Sequence, residues 1–154
     1  MVVDIEIRRA TRADVSKVTA CVRAAYAPYL DRMATPPAPL LDDYPTLIAR
    51  GVVDVAERRD QVVGLIVWWA EADHAFVDNV AVSPAAQGLG LGRRLLDHVA
   101  EWASAAGHDE LRLYTNEAMT ENLAYYPRLG FVETHRAVGD GYDRVYFTKR
   151  LSSH

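Results

Sequence analysis

From Val80 to Leu95 the chain reads V-A-V-S-P-A-A-Q-G-L-G-L-G-R-R-L, with glycines at alternate positions 88, 90 and 92 followed by Arg93 and Arg94. Glycine has no Cβ, so the backbone N–H groups of such a run can approach a ligand oxygen closely. A β-rich run precedes the glycines and a helical repeat follows them, which predicts a loop opening onto a helix N-terminus. There the unpaired N–H groups and the helix dipole favour an anion. Arg93 and Arg94 add charge from the first turn. The chemistry such a loop can do is to hold a phosphate or pyrophosphate.

Two familiar glycine patterns do not fit. The dinucleotide fingerprint G-x-G-x-x-G, counted from Gly88, puts Arg93 at the third glycine, and counted from Gly90 it puts Leu95 there. A P-loop requires Gly-Lys followed by Ser or Thr, and no such sequence follows these glycines. A turn whose glycines serve close packing alone is the non-functional alternative.

Other reactive side chains are few. Cys21 is the one cysteine, which excludes an intramolecular disulfide and a cysteine-rich metal site and suits a reducing cytoplasm. It lies beside an apolar helical stripe and reads as a small core residue rather than a nucleophile. Histidine is the residue type best suited to move a proton near neutral pH, but His74 sits at the far start of its strand and reads as solvated.

The elements that must position these groups are legible as periodicities. Ile5 and Ile7 alternate like a half-buried strand, and Thr11-Arg12-Ala13-Asp14 has the form of a capping box leading into a helix with Val15, Val18, Val22 and Ala25 on its apolar face. Five prolines between Ala27 and Pro45 predict a loop with a short helix, whose Tyr29, Met33, Leu40 and Tyr44 either connect elements or wall a substrate pocket. Val52–Glu57 and Val62–Ala70 form a predicted antiparallel hairpin. Strand Phe76–Val82, a helix carrying Leu95, Leu96, Val99, Trp102 and Ala106 up to a Gly107 cap, and strand Leu111–Thr115 form a predicted βαβ crossover. A short helix from Met119 to Tyr126 and strands Val132–Val138 and Arg144–Arg150, joined across Gly139-Asp140-Gly141, complete the chain.

At 154 residues the chain has the length of one domain with one core. Half of it is hydrophobic and a quarter charged, which excludes a disordered or collagenous chain. A formal net charge of −4, with Lys and Arg spread along the chain, argues against nucleic acid as a partner. The longest apolar run, Val62–Ala70, is strand-sized, so neither a membrane span nor a signal peptide is expected.

The combination V-D-N-V-A-V-S-P-A-A-Q-G-L-G-L-G, from Val77 to Gly92, resembles the acetyl-CoA signature of the GNAT superfamily of N-acetyltransferases, with Gln87, Gly90 and Gly92 in its defining places. A second segment, Asn122-Leu123-Ala124-Tyr125-Tyr126-Pro127-Arg128-Leu129-Gly130-Phe131, resembles the family's Asn, helix, Tyr-x-x-Leu-Gly-Phe stretch. The order of elements agrees from Ile5 to Leu151.

The resemblance implies a single domain over residues 1–154, of mixed α/β class. Its central sheet would be mostly antiparallel with six or seven strands, its fourth and fifth strands splayed, with about four flanking helices. It implies acetyl-CoA as cosubstrate, bound by Val80, Ala81, Val82, Gln87, Gly88, Leu89, Gly90, Leu91, Gly92 and Arg93, with Asn116 and Asn122 as further contacts. Pantetheine would lie against the Val80–Val82 backbone, and the Val80 N–H would polarise the acetyl carbonyl. Tyr126 would be the general acid and Asp78 the general base, with Tyr125 as the alternative acid because Pro127 is expected to end the helix at Tyr126. Met119 stands where the family often has asparagine. No metal is implied.

The function implied is direct transfer of an acetyl group from acetyl-CoA to a primary amine, in the cytoplasm. A non-catalytic CoA sensor and a ligand-free interaction module are the alternatives. A homodimer is one expected state, since dimers are common among relatives. The acceptor is open: a small amine, a xenobiotic, or a lysine or N-terminus of another protein.

Overall fold

A computed structural model describes residues 4–151 of the chain. Within them, strands β1 (Glu6–Arg9), β2 (Val53–Arg58), β3 (Gln61–Ala70), β4 (His74–Val82), β5 (Glu110–Asn116), β6 (Val132–Gly139) and β7 (Tyr142–Arg150) form a seven-stranded sheet in the order β1-β2-β3-β4-β5-β7-β6. The described α-helices are α1 (Val15–Tyr26), α2 (Tyr44–Ala49), α3 (Leu91–Ala105) and α4 (Thr120–Arg128). This is the mixed α/β class expected. The chain gathers into two compact units, one of residues up to Trp68 with Asn79–Leu96, the other of Trp69–Asp78 with residues from Asp97 on.

In the first unit β1, β2 and β3 are successive antiparallel neighbours. The β2–β3 turn pairs Arg58 with Gln61 through Arg59 and Asp60, at φ +52° and +66°. Both central residues are left-handed, the geometry that matches the twist of a two-residue hairpin. The backbone N–H of Thr11 donates to the Asp14 carboxylate at 2.7 Å, one half of the expected capping box, and α1 follows after a single 3-10 turn. Asp14 also accepts both guanidinium nitrogens of Arg8, at 2.8 and 2.9 Å. Helix α1 buries Val18, Cys21, Val22 and Tyr26, so Cys21 is inside the stripe and Tyr26 takes the place expected of Ala25. The proline-rich segment is ordered as 3-10 turns Ala27–Arg32 and Ala38–Leu41, after which Asp43 caps α2.

Gly64 on β3 shows why the start of α3 lies where it does. A Cβ there would stand 3.0 Å from Leu91 Cδ2, 3.2 Å from the Ala81 carbonyl and 3.3 Å from Leu95 Cδ1. The bare glycine therefore lets α3 seat its first turn directly on the sheet.

In the second unit β4 and β5 are parallel, paired from His74↔Glu110 to Val77↔Leu113, as a βαβ crossover requires. Strands β5 and β7 pair over their length, from Glu110↔Arg150 to Asn116↔Arg144. The β6–β7 hairpin turns on Asp140 and Gly141, at φ +52° and +83°. Two expectations are corrected here. Trp102 is 43% exposed with its ring tilted against His108, while Ala103, one turn after Val99, takes the core position. Pro127 does not end its helix, for α4 runs to Arg128. Proline in the last turn removes one N–H, and the chain tightens there, with Leu129 and Phe131 N–H both donating to the Tyr126 carbonyl at 2.9 and 3.1 Å.

Candidate active site

The glycine loop of the first unit has the anticipated form. Gln87, Gly88, Leu89 and Gly90 are exposed, Leu91 is buried as the first residue of α3, and the Gly90 carbonyl accepts the Arg94 N–H at 3.1 Å. Gly88 and Gly90 adopt φ +84° and +71°, and a Cβ at either would meet no atom of the chain within 4 Å. Close packing therefore does not explain these two glycines. What does is left-handed backbone, which glycine adopts freely, with open space outside it before the α3 N-terminus. The Arg94 guanidinium donates to the Ile5 carbonyl at 3.0 Å, and Arg93 and Arg94 are both exposed beside the loop.

Strand β4 continues through Asp78–Val82 past its last register pair with β5. Val80 and Val82 are half-buried and Ala81 is buried, and the Val80 carbonyl accepts from the Tyr26 hydroxyl at 3.2 Å. Asp78, half-buried, accepts from the Tyr114 hydroxyl at 2.8 Å. Burial pushes its pKa above the ordinary carboxylate value, opposed by the Tyr114 hydrogen bond and by the positive charge of Arg144. A carboxyl of raised pKa is a better proton acceptor when ionised, which suits a general base. His74 lies at the opposite end of β4 and its Nδ1 is 2.7 Å from the exposed Asp73 carboxylate.

The asparagines build the β5–α4 corner. Asn116 Oδ1 accepts the Ala118 N–H at 2.8 Å, while Asn122 Nδ2 donates to Thr115 Oγ1 at 3.0 Å and lies 3.6 Å from the buried Met119 sulfur. Met119 thus fills the position with a thioether that its neighbours' polar groups contact. Tyr126 is 7% exposed, its ring against Tyr125, Phe131 and Phe147 at centroid distances of 5.5, 5.7 and 5.7 Å. Tyr125 is half-buried on the same helix. Cys21 is buried and its thiol is pushed up to about 11 by desolvation, an inert core residue. Among the described residues no group of three or more His, Cys, Asp or Glu is arranged to hold a metal ion. No described helix is long and apolar enough to cross a membrane.

The family model described as the acetyltransferase (GNAT) family matches residues 19–131, most of the chain and all of the loop just described. The chain belongs to the GNAT family. A 5-NmdU N-acetyltransferase of Pseudomonas phage PaMx11 is 30% identical over 92 residues, 58% of this chain and 64% of that protein. An IAA acetyltransferase of Azospirillum brasilense is 36% identical over 81 residues, 51% of this chain and 53% of its own. The chain thus spans less than two thirds of the length of these curated relatives. The PaiA N-acetyltransferase of Thermoplasma acidophilum, solved in complex with coenzyme A, superposes with a TM-score of 0.82 at 18% identity, covering 96% of this chain and 99% of that one. The GNAT fold is therefore shared almost end to end.

Two features of this GNAT chain were not visible as motifs. In the first unit, the Tyr26 hydroxyl donates to Asn79 Oδ1, Asn79 Nδ2 donates to the Tyr44 hydroxyl at 3.1 Å, and Tyr44 donates to the Pro39 carbonyl at 2.6 Å. This buried chain fastens α1 and the proline-rich segment to β4 beside Val80. In the second unit, a row of rings crosses neighbouring strands: Trp69, Phe76, Tyr114, Tyr146 and His135, with successive centroids 5.4, 5.7, 5.8 and 4.3 Å apart. Alternation on β4, β5 and β7 was the available signal, since it puts Asp78, Tyr114 and Tyr146 on faces of the same half-buried character.

Proposed function

We propose that the chain is a single-domain, cytoplasmic N-acetyltransferase that moves an acetyl group from acetyl-CoA to a primary amine. The observation that carries this reading is the exposed Gly88–Gly90 loop at the N-terminus of α3, left-handed at both glycines and open where a side chain would otherwise stand. Gln87, Gly88, Leu89, Gly90, Leu91, Gly92 and Arg93 hold the pyrophosphate through backbone N–H groups and one arginine. Val80, Ala81 and Val82 offer main-chain groups to pantetheine amides. Asn116 and Asn122 act first as supports of the α4 corner and reach the cofactor from there.

Acetyl-CoA supplies the acyl group as a thioester: the amine nitrogen bonds to the carbonyl carbon, the carbon–sulfur bond breaks, and CoA leaves as a thiolate. Asp78 takes the proton that the amine must lose, through water, and its raised pKa brings its basicity nearer that task. The Val80 N–H stabilises charge on the carbonyl oxygen. Tyr126 returns a proton to the thiolate, with Tyr125 as the alternative donor. Nucleic acid has no part in this reading, and a homodimer is compatible with it.

The test is to mix purified protein with acetyl-CoA and a panel of amines and follow both CoA thiol release and the acetylated product. Amine-dependent thiol release with a matching product supports the proposal. Saturable acetyl-CoA binding with no product from any amine would leave a CoA-binding module, and no binding at all would leave a GNAT domain without its cosubstrate.

A further inference from the structure

Arg144 occupies an unusual position for a charged side chain near a proposed catalytic carboxylate. Its guanidinium carbon lies 4.2 Å from the centroid of the Tyr114 ring, the same tyrosine whose hydroxyl donates to Asp78 at 2.8 Å. Gly139 of the β6–β7 hairpin lies close to the same side chain. A Cβ on Gly139 would come within 2.6 Å of Arg144 Nη1 and 3.1 Å of Cδ, so only glycine leaves room for the guanidinium to lie flat there. The side chain is 13% exposed, and its ion pair among the described residues is a 3.4 Å approach to Asp140, whose own side chain is 86% exposed and so highly solvated.

A planar guanidinium held over a ring and close to a glycine keeps its orientation at little entropic cost. Its fork of donors suits a carboxylate, which accepts two parallel N–H bonds. One tyrosine ring separates this donor edge from the carboxylate that faces the amine. We propose that the acceptor is itself an amino acid, a small molecule bearing a carboxylate as well as its amine, and that Arg144 is the specificity residue that binds the carboxylate. This deepens the acetyltransferase reading above and rests on it. Asp78, at the Tyr114 hydroxyl, and Arg144, over the Tyr114 ring, are then opposite charges matched to the ammonium and carboxylate ends of a zwitterion. The Tyr114 ring, with Tyr146 tilted against it and His135 stacked on Tyr146, adds apolar surface beside them.

The experiment compares α-, β- and γ-amino acids with their carboxamides and with the corresponding decarboxylated amines, scoring kcat/KM for acetylation. The wild-type protein is expected to prefer at least one free acid over its amide and its amine by tenfold or more. Arg144→Gln is expected to lower that acid-to-amide ratio at least tenfold, with the change in KM for the acid. Arg144→Lys should restore part of it. Gly139→Ala provides a second route to the same end, because it keeps the charge and displaces the guanidinium, and it should lower the ratio as well. Amides or plain amines accepted as well as acids by the wild type would overturn the inference and leave the acetyltransferase reading standing. So would an equal loss for acids and amides in Arg144→Gln. Acetyl-CoA binding with no amine acetylated would overturn both.

Discussion

Gly90 allows the turn and the ligand to be separated experimentally. Its φ of +71° is forbidding to a side chain, yet a Cβ would meet nothing of the protein within 4 Å. Alanine at that dihedral costs about 1–2 kcal/mol, whereas asparagine visits the region routinely, at about 1 kcal/mol or less. In a chain of this size a loss of about 1 kcal/mol lowers Tm by roughly 2–4 °C. Gly90→Asn therefore keeps the loop's backbone while filling the space outside it. If a pyrophosphate oxygen must come within hydrogen-bond reach of the loop N–H groups, one charge-assisted bond is lost, about 1.5–3 kcal/mol, or roughly 10- to 150-fold in Kd. The assay is isothermal titration of acetyl-CoA into the wild type, Gly90→Asn and Gly90→Ala, with thermal melts alongside. The expected result is a folded Gly90→Asn protein, its Tm lowered by no more than about 4 °C, with affinity reduced at least tenfold. A folded Gly90→Asn protein that binds acetyl-CoA within twofold of the wild type would refute the reasoning and reduce the glycine to a turn residue.

Tyr126→Phe preserves the ring packing against Phe131 and Phe147 and is expected to lower kcat at least tenfold, leaving the acetyl-CoA dissociation constant within twofold; normal kcat, or the loss appearing in Tyr125→Phe instead, moves the acid to Tyr125. Asp78→Asn should lower kcat/KM about a hundredfold or more at neutral pH, with a deficit that narrows once pH exceeds the amine's own pKa. Because burial raises the folded pKa of Asp78, the folded state binds its proton more tightly than the unfolded chain does. Its ionised form thus costs stability as pH rises through that window, and Asp78→Asn should melt higher than the wild type at pH 7; a lower Tm contradicts the assignment. Asp14 behaves oppositely: hydrogen bonding to the Arg8 guanidinium lowers its pKa to about 2. Its contribution, about 2 kcal/mol, is complete above the unfolded carboxylate pKa and is lost as pH falls through about 2. Urea titrations of Asp14→Asn and wild type should therefore differ by that amount at pH 7 and converge near pH 2, and a gap independent of pH counts against the ion pair as its source.

The loop was legible in the sequence because its requirements are local. Three alternating glycines between a β-rich run and a helical repeat determine the backbone without reference to anything distant, and the two hairpins were legible for the same reason. Trp102 and Pro127 were misread where local rules compete with packing. An apolar residue three places from Val99 fits the helical stripe as well as one four places away, and the core accepted Ala103. A proline disfavours helix before it, but in the last turn only one N–H is lost, and the bonds from Leu129 (i+3) and Phe131 (i+5) to the Tyr126 carbonyl absorb the change. Tyr114, Arg144, Asn79 and Tyr26 stayed hidden because their meaning lies in partners 36, 53 and 35 residues away, as in Tyr114 with Asp78, Tyr26 with Asn79, and Asn79 with Tyr44.

Asp78 and Asn79 together show how one strand serves two demands. Successive side chains of a strand point to opposite faces, so neighbouring polar residues on β4 are committed to different surroundings. Asn79 is 4% exposed and its amide is satisfied by Tyr26 and Tyr44, so no water need follow it inside. Asp78 is half-buried, enough to raise its pKa, while Tyr114 keeps it oriented. A slip of one residue in β4 would bury the carboxylate among groups arranged for an amide and turn the amide toward the rings, at the cost of an unpaired buried charge. The Tyr26–Asn79–Tyr44 chain therefore fixes the register of β4 as well as filling the core, since only one register places the Asn79 amide between those two hydroxyls.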